Sequence, residues 1–385
     1  MKENQEELIG RIKRGKYTPS PVRRVEIPKP DGGVRKLGIP TVTDRVLQQA
    51  ITQLLTPIYE PKFADGSYGY RPGRSAKDAV LKVKEYAEQG YTYAVVLDLS
   101  KYFDTLNHTR LLNILREDVK DERVIQMIKR YLKSGVMENG VVMETVEGSP
   151  QGGNLSPLLA NIYLNEFDWE YQRRGVPCIR YADDIVLLAK SKRASERLLE
   201  GSMKYLEEGL KLTVNRDKSR TVSVFAIHKF KYLGFTLGKN GGGIYVRVHP
   251  KSWKKFRSNL KSLSSRRQVQ SIKPSLVKIK VYARGWLNYY GIASMKNPIN
   301  AINGWLYHRI RMCIWKQWKR PRTKVRNLMK MGVPADLAYR AGNTRRGYWF
   351  TSNTVAVKMA MTKERLIRSG FYDLTTAYQS VHVNY

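Results

Sequence analysis

Three aspartates interrupt stretches of this sequence that otherwise read as buried hydrocarbon. Asp98 closes the run Val95-Val96-Leu97, and Asp183 and Asp184 stand between Arg180-Tyr181-Ala182 and Ile185-Val186-Leu187-Leu188. A charge at the end of a buried strand is costly unless a cation or a partner offsets it. Two such sites together can supply the three carboxylates of a two-metal nucleotidyl-transfer centre. In that chemistry one Mg²⁺ activates the attacking hydroxyl and the other stabilises the leaving group. Each site alone also has a plainer reading, Asp98 as a helix N-cap and Asp183-Asp184 as an ordinary hairpin turn.

The elements that must carry these residues follow from spacing. Residues 178–181 and 185–189 read as strands flanking a tight turn, which puts Asp183 and Asp184 at a hairpin tip. Residues 91–99 form the strand that delivers Asp98. Ahead of it, residues 1–20 read as a short polar helix and linker, and residues 23–40 as a hairpin about Pro30-Asp31-Gly32-Gly33. Residues 43–59 repeat at helical period, with Val46, Leu47, Ala50, Ile51, Leu54 and Leu55 on one face and Asp44 in the first turn. Helices are also predicted over 75–88, 109–119, 124–134 and 194–208, and over 156–174, where Ser156 caps and Pro157 opens the helix. Residues 230–237 and 244–248 pair across Asn240-Gly241-Gly242-Gly243, and helices follow over 251–263, 274–292 and 298–319. Helices interleaved with short antiparallel hairpins make the fold class α+β.

The chain is long enough, at 385 residues, for two or three domains, and 42% hydrophobic content argues against disorder. Its net charge of +36 implies a polyanionic partner, nucleic acid before membrane. Residues 238–385 hold 30 Lys and Arg against three acids (Asp336, Glu364 and Asp373), leaving 39 and 30 of the chain's 69 and 33 for residues 1–237. A solvated surface mixes both signs, so the basic half reads as a nucleic-acid-binding domain. No apolar run is long enough to cross a bilayer, which leaves no membrane partner in view. Cys178 and Cys313 have neither metal-ligand nor disulfide spacing, and a reducing cytoplasm is expected, with the nucleoid open to so basic a chain.

The acidic sites belong to an ordered set. Between them lies Ser149-Pro150-Gln151-Gly152-Gly153-Asn154-Leu155-Ser156-Pro157, and downstream comes Lys231-Tyr232-Leu233-Gly234-Phe235. With Asp98 and Tyr181-Ala182-Asp183-Asp184, this order resembles the reverse transcriptases, and its wording the branch encoded by group II introns. The resemblance runs from about Arg23 to at least Trp318. It implies a right-handed polymerase: 1–20 as a leading helix and linker, 21–237 as fingers and palm around an antiparallel sheet, and 238–385 as an α-helical thumb or maturase-specific RNA-binding domain. It further implies Asp98 and Asp183 as ligands of two Mg²⁺ ions, with Mn²⁺ an alternative ion, Asp184 completing the acidic set, and the Leu99 carbonyl as a backbone ligand. Asp104 could be a fourth ligand, although a helix-capping role suits it better.

By the same resemblance Phe103 stacks under the sugar and excludes a ribose 2′-hydroxyl; plain core packing suits a Phe equally well. Gln151 and Gly152 lie beside the incoming nucleotide and template, where the glycine lets backbone approach closely, and a helix-entry loop would use the same residues. Lys29 and Arg35 flank the fingers turn and suit a triphosphate. Lys218 resembles the lysine that protonates leaving pyrophosphate, and Tyr232, Leu233, Gly234 and Phe235 resemble the primer grip. In the basic half, Arg284, Arg309, Arg311 and Lys316 are the expected RNA contacts, and replacing Arg309, Arg311 and Lys316 is expected to leave the fold intact because exposed cations contribute little to stability. Trp286, Leu287, Tyr290, Ile314 and Trp318 read as a bundle core, although Trp and Tyr faces can also stack on unpaired bases.

The partners so implied are an RNA template and a group II intron RNA, a DNA primer or target, and deoxynucleoside triphosphates. Two departures from the family shape the expectation. The chain starts close to the fingers hairpin, without the longer N-terminal stretch and its Gly-Val-Asp-Gly-like sequence, and no Cys-pair or His-Asn-His nuclease signature follows the thumb. The leading reading is an RNA-directed DNA polymerase that also assists intron splicing and mobility. The alternatives are a maturase that only helps splicing, or a domesticated or defence-associated reverse transcriptase.

Overall fold

The computed structural model describes residues 5–28, 32–138, 141–143, 147–149, 152–267 and 271–382. The chain divides into two compact units, Met1–Ala226 and Ile227–Tyr385. That boundary precedes the 237/238 division expected from sequence and places Tyr232–Phe235 with the basic unit.

The first unit opens with α1 (Gln5–Lys13) and a hairpin of β1 (Val22–Pro28) with β2 (Val34–Ile39), running from Arg23 opposite Ile39 to Pro28 opposite Val34. Lys29, Pro30 and Asp31 lie outside the described residues. α2 (Val42–Tyr59) starts at Thr41, whose hydroxyl accepts the Asp44 N–H at 3.2 Å. Its buried face differs from the expected one. Val46 and Leu54 stand 51% and 67% exposed, whereas Asp44, Gln48, Leu55 and Tyr59 are buried. Asp44 is the reason, since its carboxylate accepts from the hydroxyls of Tyr17 at 2.7 Å and Thr41 at 2.6 Å and from the Ser20 N–H at 3.3 Å. An acid satisfied three times can be buried in the first turn, and the helix rotates with it.

α3 (Ala76–Glu88) begins with a capping box between Ser75 and Asp78. β3 (Tyr93–Asp98), α4 (His108–Asp118), α5 (Glu122–Lys133), β4 (Val136–Glu138), β5 (Val141–Met143) and α6 (Ser156–Arg173) follow. Asp104 caps no helix; Asn107 caps α4, its side-chain oxygen accepting the Arg110 N–H at 2.9 Å. Nor does Ser156 cap α6: its hydroxyl is bonded to that of Ser149 at 2.7 Å, so the cap position falls to Leu155. β6 (Cys178–Tyr181), β7 (Asp184–Ala189), α7 (Lys192–Lys204) and β8 (Arg220–Ser223) complete the unit.

Two sheets result. One runs β2-β1-β4-β5, with β1 parallel to β4 and its other pairs antiparallel. The other, β6-β7-β3-β8, is antiparallel throughout. Val95 and Leu97 of β3 and Ile185 and Leu187 of β7 enter one core with Leu55, Leu111, Ile128, Leu159, Phe167 and Leu206. Each fully buried aliphatic side chain contributes about 1.5–3 kcal/mol, which sets the strand ends firmly in place.

The second unit starts with a hairpin of β9 (Phe235–Asn240) and β10 (Gly243–Val248). α8 (Pro250–Leu263), α9 (Lys273–Tyr290), α10 (Lys296–Gln317), α11 (Pro321–Lys330) and α12 (Ala335–Gly342) follow, with further short helices to His382. Asp373 ties this C-terminal run to α10, accepting from Asn303 at 2.9 Å and the Tyr307 hydroxyl at 2.8 Å and meeting Lys363 at 3.2 Å. Burial opposes its charge, but these donors and the Thr376 N–H hold its carboxyl well below the usual range. Among the described residues no helix is long and apolar enough to cross a membrane, and Cys178 and Cys313 are buried and unpaired.

Candidate active site

The hairpin of β6 and β7 closes over two residues, with Tyr181 paired to Asp184 across Ala182-Asp183. Only Asp183 therefore occupies the tip, and Asp184 already heads the returning strand. Ala182 sits at φ 58°, a left-handed value that a two-residue turn requires and that costs any residue with a Cβ. β7 runs beside β3 in a register that sets Asp98 directly opposite Asp184. Directly opposed residues share a face, so the two carboxylates leave the sheet on the same side.

Asp98 is fixed by a turn over residues 213–219. Its N–H donates to the Ser219 hydroxyl at 3.1 Å and its carbonyl accepts the Asn215 N–H at 2.8 Å. The same turn brings the Lys218 ammonium to 3.6 Å from the Asp98 carboxylate. Leu99 forms a bridge with Val214 that is closed by its neighbours, Ser100 N–H to Thr213 and Asn215 N–H to Asp98, which leaves the Leu99 carbonyl out of that ladder. Among the described residues no three Asp, Glu, His or Cys groups gather closely enough to hold one ion. The donors present are nonetheless of the kind Mg²⁺ takes: carboxylates on adjoining strand ends and a backbone carbonyl outside its ladder.

Beyond Asp98 the backbone turns sharply, with Lys101 at φ 49°, into a single helical turn over Tyr102–Asp104. Phe103 is half-buried against the main core, its ring 5.4 Å from that of Tyr102. Its carbonyl accepts the Ser149 N–H at 2.5 Å, and the Leu106 carbonyl accepts the Gly148 N–H at 2.9 Å. The glycine segment is thus stitched to the aromatic one. Gly152 lies at φ 120°, and a Cβ there would come within 2.8 Å of the Gly38 carbonyl on β2. Its missing side chain therefore permits close approach to the β1–β2 hairpin. Gln151 lies outside the described residues.

Arg35 stands exposed on β2. Its charge is felt at the Tyr70 hydroxyl, where partial burial first and the Asp183 carboxylate second raise the pKa and Arg35 lowers it. Lys29 is outside the described residues.

Two features were missed by reading the sequence. Residues 66–69 run alongside β6, with Tyr68 N–H donating to the Arg180 carbonyl and Arg180 N–H to the Gly66 carbonyl, both at 2.8 Å. Added Cβ atoms at Gly66 and Gly69 would fall 1.9 Å from the Cys178 carbonyl and 2.2 Å from the Ala182 nitrogen, so these glycines permit the contact. The second is Arg180, wholly buried beneath the turn. It pairs with buried Asp168 of α6 at 2.6 Å, and donates to Asn161 and Ser67 at 2.8 Å and to the Ala182 carbonyl at 3.0 Å. Burial opposes its charge, yet Asp168 more than offsets this and its pKa is raised. The strained Ala182 turn is held from below by that guanidinium. The sequence signals were an arginine inside an apolar strand and the pair Gly66 and Gly69.

In the second unit, Leu233 and Gly234 both take positive φ, 49° and 86°, in a turn closed by Tyr232 and Phe235, whose N–H groups and carbonyls bond reciprocally at 3.0 and 2.8 Å. The Tyr289 hydroxyl donates to the Leu233 carbonyl at 2.9 Å, and a Cβ on Gly234 would lie 2.5 Å from the Tyr290 hydroxyl. Tyr232 and Phe235 are buried. Of the expected RNA contacts, Arg284 is exposed. Arg309 instead donates to Ser264 and to the Lys261 and Ser264 carbonyls at 2.6–2.9 Å, and Lys316 donates to the Arg266 carbonyl at 2.9 Å. Burial lowers the pKa of both Arg309 and Arg311. The expectation that these residues can be removed without touching the fold is corrected, because Arg309 and Lys316 satisfy backbone carbonyls at and beyond the end of α8. The bundle core is Leu287, Trp315 and Phe256, with Trp286 stacked on Phe256 at 4.0 Å; Trp315 takes the buried place expected for Trp318.

Residues 253–332 match the group II intron, maturase-specific domain. Protein YkfC of Escherichia coli is 36% identical over 245 residues, covering 54% of this chain and 64% of that protein. The group II intron-encoded protein LtrA of Lactococcus lactis is 43% identical over 168 residues, 43% of this chain and 28% of LtrA. The chain thus spans less than two thirds of either relative. A telomerase structure from Candida albicans aligns over 98% of this chain at 12% identity and a TM-score of 0.48, too loosely to carry an argument. Residues 27–237, more than half of the chain, match the reverse transcriptase (RNA-dependent DNA polymerase) family, and the chain belongs to that family.

Proposed function

We propose that the chain is an RNA-directed DNA polymerase whose basic unit binds RNA, and that it assists the splicing and mobility of a group II intron. The observation that carries this reading is Asp98 directly opposite Asp184, with Asp183 in the adjoining turn. Like charges opposed across antiparallel strands destabilise a sheet. Nothing in the aliphatic core asks for them, so the local cost points to cation-dependent chemistry. Two Mg²⁺ ions held there by Asp98, Asp183, Asp184 and the Leu99 carbonyl would activate a primer 3′-hydroxyl and neutralise charge on leaving pyrophosphate.

The chain's own groups supply the rest. Arg35 binds triphosphate oxygens in the bidentate manner open to a guanidinium. Lys218, already drawn to Asp98, holds a proton where the leaving group departs. Arg180 keeps the Asp183 turn in its strained shape, and the Tyr232–Phe235 turn holds the primer end. A second reading, a splicing cofactor that keeps the fold without the chemistry, is favoured by the Lys218 ammonium lying on Asp98.

Phe103 gives the sharpest test of the polymerase reading. Phe103→Val should raise the ratio of ribonucleotide to deoxyribonucleotide incorporation, because space opens beneath the sugar. An unchanged ratio in an active enzyme would leave Phe103 as a core residue only.

The RNA-binding reading has its own measurement. Six to ten phosphate contacts imply a loss of roughly 10³–10⁵ in affinity between 50 and 200 mM salt, on a scale set by duplex DNA and shallower for single strands. Parent intron RNA should also outcompete a scrambled RNA at fixed salt. Salt-insensitive binding would remove the phosphate reading, and equal binding of the two RNAs would remove the intron role.

A further inference from the structure

A groove of about 1300 Å³ opens within the second unit, between the β9–β10 hairpin, the outer face of α8, the start of α10 and Trp349. It exceeds the roughly 300–1,000 Å³ of sites built for small molecules. Arg309, whose donors serve the end of α8, shares the groove's lining with five further cations: Arg247, Lys254, Arg257, Lys261 and Lys296. Among the described residues no carboxylate lines it. Among the described residues none of these five side chains forms an ion pair or hydrogen bond; Arg257 lies 5.2 Å over the Trp305 ring. Of the unit's three acids, Asp336, Glu364 and Asp373, none is among the groove's described lining residues, and Asp373 is already committed to Lys363, Asn303 and Tyr307.

Aromatic rings stand between the cations. Tyr245, Trp253, Trp305 and Trp349 also line the groove. Trp349 is 43% exposed and stacks on His308 at 3.5 Å, while His308 in turn bonds the Trp349 carbonyl at 2.7 Å. The indole is thus held on one face and open on the other. A duplex hides its bases from such a ring; an unpaired strand offers them.

We propose that this groove binds an unpaired polynucleotide strand, with its phosphates on the five cations and a base stacked on the open face of Trp349. The proposal rests on the RNA-binding reading of the basic unit and narrows it to a place and a form of ligand. Arg309, which shares the groove, is left out of the binding set because its donors serve α8.

The test uses the full chain and a labelled oligouridylate of about a dozen nucleotides, against an RNA duplex of the same length. Trp349→Leu should weaken strand binding by about five- to a hundredfold and leave duplex binding unchanged. Trp349→Phe, which keeps an aromatic face, should restore most of the loss. Combined Lys254→Gln, Arg257→Gln and Lys296→Gln should lower the slope of log affinity on log salt by about 2. Unchanged strand binding in Trp349→Leu, equal loss with Leu and Phe, or equal loss of strand and duplex would each overturn the stacking site. Primer extension by the same preparations separates the two readings. A parent chain that binds the strand through Trp349 but extends no primer would sink the polymerase and keep the groove; one that extends primers but binds no strand would do the reverse.

Discussion

Asp183→Asn should lower metal-dependent primer extension by roughly a thousandfold, the rate equivalent of the several kcal/mol that a catalytic metal ion supplies. The substitution keeps shape and removes one negative charge. Among the described residues the Asp183 carboxylate makes no hydrogen bond or ion pair, so its loss should not cost stability. Asp98→Asn should match it in activity while also losing the Lys218 contact, an exposed pair worth no more than about 1 kcal/mol. Thermal melting should therefore move little in either variant. Melting that collapses with the activity would make these carboxylates structural.

Asp168→Ala should behave in the opposite way, destabilising the first unit by about 3–5 kcal/mol, because it strands the Arg180 guanidinium in a site with no solvent. The sign of a double variant is the useful part. Removing the charge as well, in Asp168→Ala with Arg180→Met, should recover much of the loss, since an uncompensated buried charge costs more than a missing pair. Chemical denaturation measures both. A single variant that costs less than about 1 kcal/mol, or a double variant worse than the single, would show that the ion pair does not hold the hairpin.

The candidate site was legible where charge contradicts its surroundings. Asp98, Asp183 and Asp184 break apolar runs, and the Gly152 region breaks the approach to a helix, so local sequence marks them. Their exact placement was less so: Asp184 pairs with Tyr181 and stands in the strand, a matter of register that the run of Ile185 to Leu188 leaves open by one residue. Long-range satisfaction was not legible at all. Asp44 looks like a first-turn dipole residue until Tyr17 is found 2.7 Å away, and that bond turns α2 so that Leu54 faces outward. Arg180 looks like a flanking cation until Asp168, Asn161 and Ser67 close around it. Arg309 and Lys316 read as phosphate contacts because composition cannot tell a cation facing solvent from one facing a helix end. Fold class and the longer elements up to α10 were readable from periodicity, but the short strands β4, β5 and β8 and the helices after α10 were not, and the partners of buried polar groups depend on residues far away in the chain.

The most direct test is Mg²⁺-dependent incorporation of deoxynucleotides by the purified parent chain on a primed RNA template, run beside Asp183→Asn. The account predicts template-length DNA from the parent, abolished by EDTA and absent from the variant. Equal extension by parent and Asp183→Asn, or no extension by a folded parent that binds the primed template, would contradict it.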